Sequence, residues 1–462
     1  MRDGRPTAAE RAALRREVLR QAWPLVLQNL ARTFMFFVDT LMIGRVGRDA
    51  MAAMGVVGPI SHTLVSILTA LSVGTIATVA RAWGERDRAR QEAEAAAGAT
   101  LALLAGIPLT LLGVLVLPEL ARLFPVEGVP EVTGMAKDFL RFEGAALLFV
   151  CLDLAGSGIL RGAGATRVTM TAGILANALN VLLNWIFIYG NLGAPRMGVA
   201  GAGLATAASM AFQGAVTFGY LWTPASPIRL RAASFRAVGR PALARLLRVT
   251  LPAALEPLVL QAGFLVYARV ITLLGAAAVA AHRVALAVES LTFMGGYGFV
   301  MAGSAIVGQC LGEGRPDKAE AALGTCARLA TYTMSAAGLG FLFFAPALVS
   351  IFIPPGREAE VAALAAACLA IAGLEQPFMA LAMSLAGGLR GAGDTRSPVA
   401  VGVVGVWLVR VPVAWALALP LGLGLHGIWI TMIVDWAVRA LVFRRIVGRA
   451  RWKAIKLREG AV

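Results

Sequence analysis

The sequence predicts an all-α polytopic membrane protein with about twelve transmembrane helices. Of its 462 residues, 58% are hydrophobic and only 15% are charged, and the mean hydropathy is +0.76. Soluble domains carry about 25% charged residues. A helix needs about 20 apolar residues to cross the ~30 Å hydrocarbon layer, and runs of that length recur along the whole chain.

The apolar runs can be placed in order along the chain. We predict spans near residues 22–44, 51–80, 95–117, 138–159, 168–190, 198–222, 249–274, 279–308, 320–348, 362–388, 398–420 and 425–443. The first run is too long for a signal-peptide core, has no small-residue cleavage site after it, and is followed at once by another span. We therefore expect it to remain as the first transmembrane helix.

The positive charge lies between the apolar runs. The net charge is +16, yet no basic patch is interleaved with exposed aromatic residues, which argues against nucleic acid as a partner. Most Lys and Arg residues fall in the two tails, 1–20 and 448–462, and in alternate gaps. This bias predicts that both termini are cytoplasmic and that the protein lies in the cytoplasmic (inner) membrane.

The two halves of the chain repeat each other. When the first half is laid on the second, Pro24 falls on Pro252 and Gly47 on Gly275, and LRGAGATR at 160–167 falls on LRGAGDTR at 389–396. We predict an N-lobe at 21–222, a Pro- and Arg-rich cytoplasmic linker at 223–248, and a C-lobe at 249–447. With six spans per half the repeats are parallel, an arrangement that holds substrate between halves that rock.

The repeated glycine-rich segments resemble phosphate-binding loops, but each lies between two membrane spans rather than between a strand and a helix. We interpret them as tight cytoplasmic turns, in which Gly162, Gly164, Gly391 and Gly393 permit backbone angles that other residues resist. We expect the arginines of the motif, Arg161 and Arg390, to meet lipid head groups.

Four motifs in order carry a family resemblance. VDTLMIGRVG ends the first span, GERDRARQEA follows the second, VGQCLGEGRPDKAEAA follows the eighth, and LRGAG(A/D)TR is duplicated. Over residues 20–445 the chain resembles bacterial multidrug and toxic compound extrusion (MATE) transporters, between the DinF-like and NorM-like patterns. The resemblance implies two six-helix bundles forming a V-shaped cleft, and export of organic, often cationic amphipathic compounds driven by influx of H⁺ or Na⁺.

Asp39, in the first span, is the main candidate for the coupling-ion site. A carboxylate within the membrane costs at least ~2.5 kcal/mol and usually faces a protein interior or a watery cavity. The alternative is a carboxylate that reaches the outer boundary or is held by Arg32. The resemblance matches Asp39 with the acid of the family's first span.

Three asparagines in the fifth span share a helical face with spacings i, i+3 and i+7: Asn177, Asn180 and Asn184. DinF-type members pair the first-span acid with an Asn and an Asp here. This chain matches the Asn at Asn180 but has Asn184 in place of the acid. Amide oxygens can bind a hard cation such as Na⁺, or accept a hydrogen bond from protonated Asp39. The alternative is an amide stripe that only joins neighbouring helices.

A substrate or second cation site has four candidate residues: Glu375, Glu256, Tyr267 and Arg32. NorM-type members carry acids in the seventh and tenth spans, about one turn from Glu256 and Glu375. Tyr267 occupies the repeat position of Asp39, so a second copy of that acid is missing. Asp435 and Arg439 have i, i+4 spacing, and with Arg410 they predict a structural ion pair.

The sequence therefore predicts a cation-coupled antiporter that exports organic, cationic amphipathic compounds by rocking of two lobes, with H⁺ or Na⁺ as coupling ion and no other cofactor. We expect a monomer whose partners are small organic molecules and the bilayer. No metal site is expected beyond Na⁺ at Asp39.

Two other classes of function are weighed against this prediction. A flippase for lipids or lipid-linked sugars requires a basic cleft for a pyrophosphate, which would be formed by Arg32, Arg269, Arg283 and Arg410. An intramembrane enzyme is disfavoured, because the three histidines form no HExxH motif and no Ser or Cys is paired with a base at useful spacing.

Overall fold

The computed structural model describes residues 7–123, 129–236 and 238–455. All regular structure within those ranges is helical. The helices are α1 (Ala8–Gly44), α2 (Arg48–Glu85), α3 (Arg88–Leu120), α4 (Pro130–Ala145), α5 (Leu147–Gly162), α6 (Thr166–Tyr189), α7 (Val199–Tyr220), α8 (Ala232–Arg236), α9 (Arg240–Thr272), α10 (Ala276–Gly312), α11 (Pro316–Ser350), α12 (Ala359–Gly391), α13 (Arg396–Val404), α14 (Val411–Ala418) and α15 (Gly424–Gly448). A π-helical segment, Gly405–Arg410, joins α13 to α14.

The number of spans agrees with the prediction. Among the described residues, eleven helical stretches are long and apolar enough to cross a membrane, and the pair α4 and α5 makes a twelfth if it is counted as one bent span. The all-α polytopic fold with about twelve transmembrane helices is therefore confirmed.

The chain divides into two compact units. The N unit is Leu27–Ala254, and the C unit is Met1–Val26 together with Leu255–Val462. The division falls within α1 and within α9. The first part of α1 belongs to the C unit and the rest to the N unit, whereas the first part of α9 belongs to the N unit and the rest to the C unit. The lobe limits expected from sequence, 21–222 and 249–447, stay a prediction.

The N unit is built around α5, which packs against α2, α3 and α7. Between α4 and α5 the helix axis bends by 49°. The bend deprives the backbone N–H of Leu148 of its helical partner, and Thr110 Oγ1 of α3 accepts its hydrogen bond at 2.8 Å instead. Gly113 and Gly144 meet beside the bend, where a Cβ added to Gly144 would lie 2.5 Å from the Gly113 backbone.

The segment expected to be a linker packs on the N unit. Ile228 and Leu230 are buried beside α3 and α5, and the ring of Trp222 stacks on Phe235 of α8 at 5.9 Å. Arg245, in the first turns of α9, forms a 2.8 Å ion pair with buried Glu94 of α3. The beginning of α9 is thereby fixed to the N unit.

The C unit is built around α12, which packs against α10, α11 and α15. The π-helical segment lies just before Pro412, whose ring occupies the place of a backbone donor and disturbs the regular helical ladder. Gly405 begins this segment, and a Cβ there would lie 2.4 Å from Arg439 Nε of α15. The absence of a side chain at Gly405 allows α15 to approach.

The glycines of the repeated motif have two separate roles. Gly164 and Gly393 adopt positive φ angles of 80° and 91°, as expected for tight turns. Gly162 and Gly391 end helices α5 and α12 and are packing positions instead. A Cβ on Gly391 would lie 2.0 Å from the Ser304 carbonyl oxygen. The expectation that all four supply unusual backbone angles is therefore wrong for these two.

Candidate functional site

Asp39 lies on the part of α1 that belongs to the N unit, and its side chain is half-buried. Asn184 Nδ2 of α6 donates a 2.6 Å hydrogen bond to Asp39 Oδ1. Within the described chain, no cationic group forms an ion pair with Asp39. The carboxylate is thus held by an amide, which stabilises its charge without neutralising it.

The fifth-span asparagines continue this contact into a network. Asn184 Nδ2 also donates to Asn180 Oδ1 at 3.0 Å, and Asn180 Nδ2 donates to Ser209 Oγ at 3.3 Å and to Thr206 Oγ1 at 3.5 Å. Asn180 and Asn184 are buried, whereas Asn177 is half-buried and lies outside this network. The structure therefore brings Asp39, Asn180 and Asn184 together but not Asn177.

Asn184 has one polar atom left over. Both N–H groups of its amide are used, while its carbonyl oxygen Oδ1 is buried and has no hydrogen-bond partner in the described ranges. A buried unpartnered carbonyl costs free energy comparable to that of a lost hydrogen bond. Next to Asp39, it is an oxygen ligand available to a cation or to an acidic proton.

Arg32 is exposed and does not hold Asp39. Its guanidinium group lies within electrostatic range of His62 and of Asp153. In the described residues Arg32 and Asp39 form no ion pair, which argues against the alternative that Arg32 neutralises Asp39 directly.

Asp153 is a half-buried carboxylate on α5 that links this helix to α7. It accepts hydrogen bonds from Ser157 at 3.1 Å and from Gln213 and Thr217 of α7 at 2.9 Å each. Glu143 of α4 accepts a hydrogen bond from Ser61 of α2. Both carboxylates join helices distant in sequence, and periodicity within one helix carries no signal for such pairs.

In the C unit, Tyr267 takes the place of Asp39. It is buried, and its hydroxyl donates to the Ile428 backbone carbonyl at 3.2 Å. The guanidinium group of Arg410 lies 5.7 Å from the centre of its ring. The hydrogen bond links α9 to α15. Tyr267 has no carboxylate with which to bind a cation, and its hydroxyl already donates to a backbone carbonyl.

The predicted ion pair of the C unit is confirmed. Arg410 Nε donates to Asp435 Oδ2 at 2.7 Å, and Arg439 donates to both oxygens of Asp435, at 2.6 Å from Nε and 2.9 Å from Nη2. All three side chains are buried. We call Arg410, Asp435 and Arg439 the ion triad.

Glu375 is fully buried on α12, where its carboxyl group faces that of Glu289 on α10. Apart from this neighbouring carboxyl, no hydrogen-bond partner within the described chain reaches either oxygen of Glu375. Arg410 lies within electrostatic range of the pair. Sequence reasoning selected Glu375 but missed Glu289, which lies on a different helix.

Glu256 is engaged by an arginine of the repeated motif. Arg390 Nη2 donates to both of its carboxylate oxygens, at 2.8 and 2.9 Å. Arg161, the equivalent arginine, donates to Gln28 Oε1 at 3.3 Å. The expectation that Arg161 and Arg390 serve lipid head groups is therefore wrong, because each guanidinium group binds the first helix of its own repeat.

Comparison with known proteins places the chain. The MatE family model matches residues 24–186 and again 252–416, one match in each half. A probable multidrug resistance protein NorM of Thermotoga maritima is 30% identical over 452 residues, covering 96% of this chain and 95% of that protein. A probable NorM protein of Pseudomonas aeruginosa is 33% identical over 419 residues, covering 89% and 84%.

Solved structures agree in fold. A crystal structure of MATE in complex with MaL6 superimposes with a TM-score of 0.89 at 23% identity, covering 97% of this chain and 99% of that one. An outward-facing multidrug resistance MATE family transporter of the MOP superfamily gives a TM-score of 0.88 at 24% identity, covering 96% of each chain. The chain belongs to the MATE family and is a polytopic membrane transporter rather than an enzyme.

Proposed function

We propose that the protein is a NorM-type multidrug exporter in which Asp39 binds the coupling ion. It exports organic, cationic amphipathic compounds, acts as a monomer in the cytoplasmic (inner) membrane, and has both termini in the cytoplasm. The observation that carries this proposal is the half-buried Asp39 carboxylate, held by Asn184 beside an unpartnered amide oxygen and without a cationic partner in the described chain.

The geometry supports two states of Asp39. With the carboxylate ionised, the Asn184 N–H group is the correct donor, as observed at 2.6 Å. A protonated carboxyl instead offers an O–H donor, and rotation of the Asn184 amide would present its free carbonyl oxygen as the acceptor. A Na⁺ ion would take the carboxylate and the same carbonyl as oxygen ligands. Both ions therefore use the same two residues.

Neutralisation of Asp39 changes the balance around α1. A charged carboxylate favours a watery environment, whereas its neutral or ion-bound form tolerates a dry one. Pro24 lies within α1 and interrupts its hydrogen-bond ladder, so the helix can bend there. We infer that ion binding and drug binding exclude each other through this helix, with the two repeats rocking as in other parallel-repeat transporters.

A second ion site is proposed at Glu375 and Glu289. Two carboxyl groups in one buried place cannot both ionise readily, so they retain a proton or attract a cation. We do not include Glu256 in this site, because its carboxylate is paired with Arg390. The site is secondary to Asp39, since the positive charge of Arg410 lies within its electrostatic range.

The alternative function is a lipid or lipid-linked sugar flippase. It depends on arginines that are free to bind a pyrophosphate, and Arg410 is buried and paired with Asp435. Arg32, Arg269 and Arg283 are exposed and remain available to that alternative.

Proteoliposomes decide between these functions. We expect ethidium export to be driven by an imposed H⁺ gradient or by an imposed Na⁺ gradient, which also identifies the ion. Liposomes doped with a fluorescent anionic lipid serve as the matched assay for flipping. Ethidium flux indifferent to both gradients, together with accelerated lipid flipping, would contradict the exporter proposal.

A further inference from the structure

Each copy of the LRGAG motif holds a side chain on the first helix of its own repeat. In the N unit, Arg161 donates a 3.3 Å hydrogen bond to Gln28 Oε1 of α1. In the C unit, Arg390 donates to both oxygens of Glu256 of α9, at 2.8 and 2.9 Å. The register of the repeat that places Pro24 on Pro252 also places Gln28 on Glu256. We call these equivalent contacts the N clamp and the C clamp.

A glycine lies beside each clamp, in the helix that follows the motif. A Cβ added to Gly173 of α6 would lie 2.6 Å from Gln28 Nε2, too close unless the amide moves. A Cβ on Gly402 of α13 would lie 3.5 Å from Glu256 Oε1, which is an ordinary van der Waals contact. The register that superimposes the two LRGAG motifs also places Gly173 on Gly402. Arginine, first-helix side chain and glycine therefore recur together, so the clamp is one arrangement built twice.

The two clamps differ in where the charge opposite the arginine is located. In the C clamp it is Glu256 on α9, and the side chains of Arg390 and Glu256 are only 18% and 14% exposed. In the N clamp Gln28 is neutral. A carboxylate within electrostatic range of Arg161 is that of Asp153, which lies on α5 together with Arg161 and accepts hydrogen bonds from side chains of α7.

This difference determines the free energy that is needed to break each clamp. Moving α9 away from Arg390 would separate two opposite charges in a largely buried place, which is strongly unfavourable. Moving α1 away from Arg161 breaks a hydrogen bond to a neutral amide and leaves the arginine beside Asp153. Of these two described contacts, the hydrogen bond between Arg161 and Gln28 is therefore weaker than the ion pair between Arg390 and Glu256.

The clamps also lie at corresponding places in their helices. The N unit begins at Leu27 and the second part of the C unit begins at Leu255, so Gln28 and Glu256 are each one residue past the division. Asp39 follows Gln28 by eleven residues, about 16 Å along α1. The N clamp thus fixes the start of the helical segment that carries the coupling-ion candidate.

We propose that the N clamp is the releasable contact that lets this segment of α1 move during transport, while the C clamp holds the corresponding segment of α9. Gln28 and Arg161, like Glu256 and Arg390, are positioning residues. The proposal rests on the function of Asp39 proposed above, because it explains why α1 rather than α9 is free to respond to an ion.

The test uses two substitutions, each of which gives one clamp the type of first-helix side chain that the other clamp has. Gln28→Glu gives the N clamp an ion pair, and Glu256→Gln leaves Arg390 of the C clamp with a neutral amide as its partner. Backbone hydrogen exchange is measured in nanodiscs without drug or gradient, and ethidium export is measured in proteoliposomes. For Gln28→Glu we expect exchange in residues 29–38 to slow about tenfold and the maximal export rate to fall about tenfold, with KM within about twofold. For Glu256→Gln, exchange in residues 257–266 should become faster.

If Gln28→Glu does not fold, Gln28→Met tests the opposite direction, with faster exchange in the same part of α1 at unchanged KM. Exchange in α1 that responds to neither substitution would overturn the proposal, as would slower exchange with an unchanged export rate. Failure of the ion-site proposal is distinguishable, because Asp39→Asn would then export normally while the exchange measurement still reports on the clamp.

Discussion

At equivalent positions of the repeat, the N unit carries an acid held by an amide and the C unit carries a tyrosine beside an ion triad. Asp39 has a partner in Asn184 but no counter-charge in the described chain, whereas the charge of Asp435 is met by two arginines. The register that superimposes the LRGAG motifs places Thr206, a neighbour of Asn180, on Asp435. The two repeats thus carry different polar clusters. The cluster around Asp39 has an unpartnered oxygen that could bind an ion, whereas the charges of the ion triad are paired with each other.

The difference explains why charge alone does not identify a functional residue in a membrane protein. The buried charges of the ion triad satisfy each other and hold α15 against the π-helical segment. Asp39 and the unpartnered Asn184 carbonyl oxygen leave hydrogen-bonding capacity unused. Unused capacity next to a single charge is what a site that alternately binds and releases an ion requires.

The largest effect is expected from breaking the ion triad. Asp435→Asn leaves Arg410 and Arg439 buried without a counter-charge, which costs about 3–5 kcal/mol in comparable cases. We expect a strong fall in the unfolding temperature in detergent, measured by intrinsic fluorescence. Replacing all three side chains, by Leu at 435 and Met at 410 and 439, should restore most of the stability. An Asp435→Asn protein as stable as wild type would show that the triad is not structural.

A smaller effect is expected from Asn184→Ala. The substitution removes both the donor to Asp39 and the free carbonyl oxygen, so the apparent affinity for the coupling ion should fall about 10–100-fold, as for other groups that orient an ion ligand. The measurement is the ion-concentration dependence of ethidium export. Asn184→Asp, which restores an oxygen ligand, is the matched variant, and equal loss in both would argue against a ligand role.

The smallest effect is expected from Tyr267→Phe. It removes the hydrogen bond to the Ile428 carbonyl, which is worth about 1 kcal/mol of stability. Thermal unfolding should detect this loss, while the number of ions exchanged per ethidium should stay the same. A changed ratio would indicate that the two halves share the coupling role, and the contrast with Asp39 would fail.

Hydropathy was sufficient to predict the helical class and the number of spans, because the bilayer imposes both. Register along one helix predicted the pairing of Asp435 with Arg439, and the family resemblance brought Asp39 together with Asn180 and Asn184. Contacts between distant helices were beyond this reasoning. The packing of separate helices brings Glu289 next to Glu375 and Gln28 within hydrogen-bonding distance of Arg161. The expected contact of the motif arginines with lipid is wrong because packing gives them protein partners instead.

The most direct measurement of the central claim is gradient-driven ethidium export by Asp39→Asn, with Asp49→Asn as the matched control. Asp49 is an exposed acid in the first turn of α2. The account predicts that Asp39→Asn folds, binds ethidium, and loses export under the driving gradient, while Asp49→Asn exports as wild type does. Full gradient-driven export by folded Asp39→Asn would contradict the assignment of the coupling ion to the N unit.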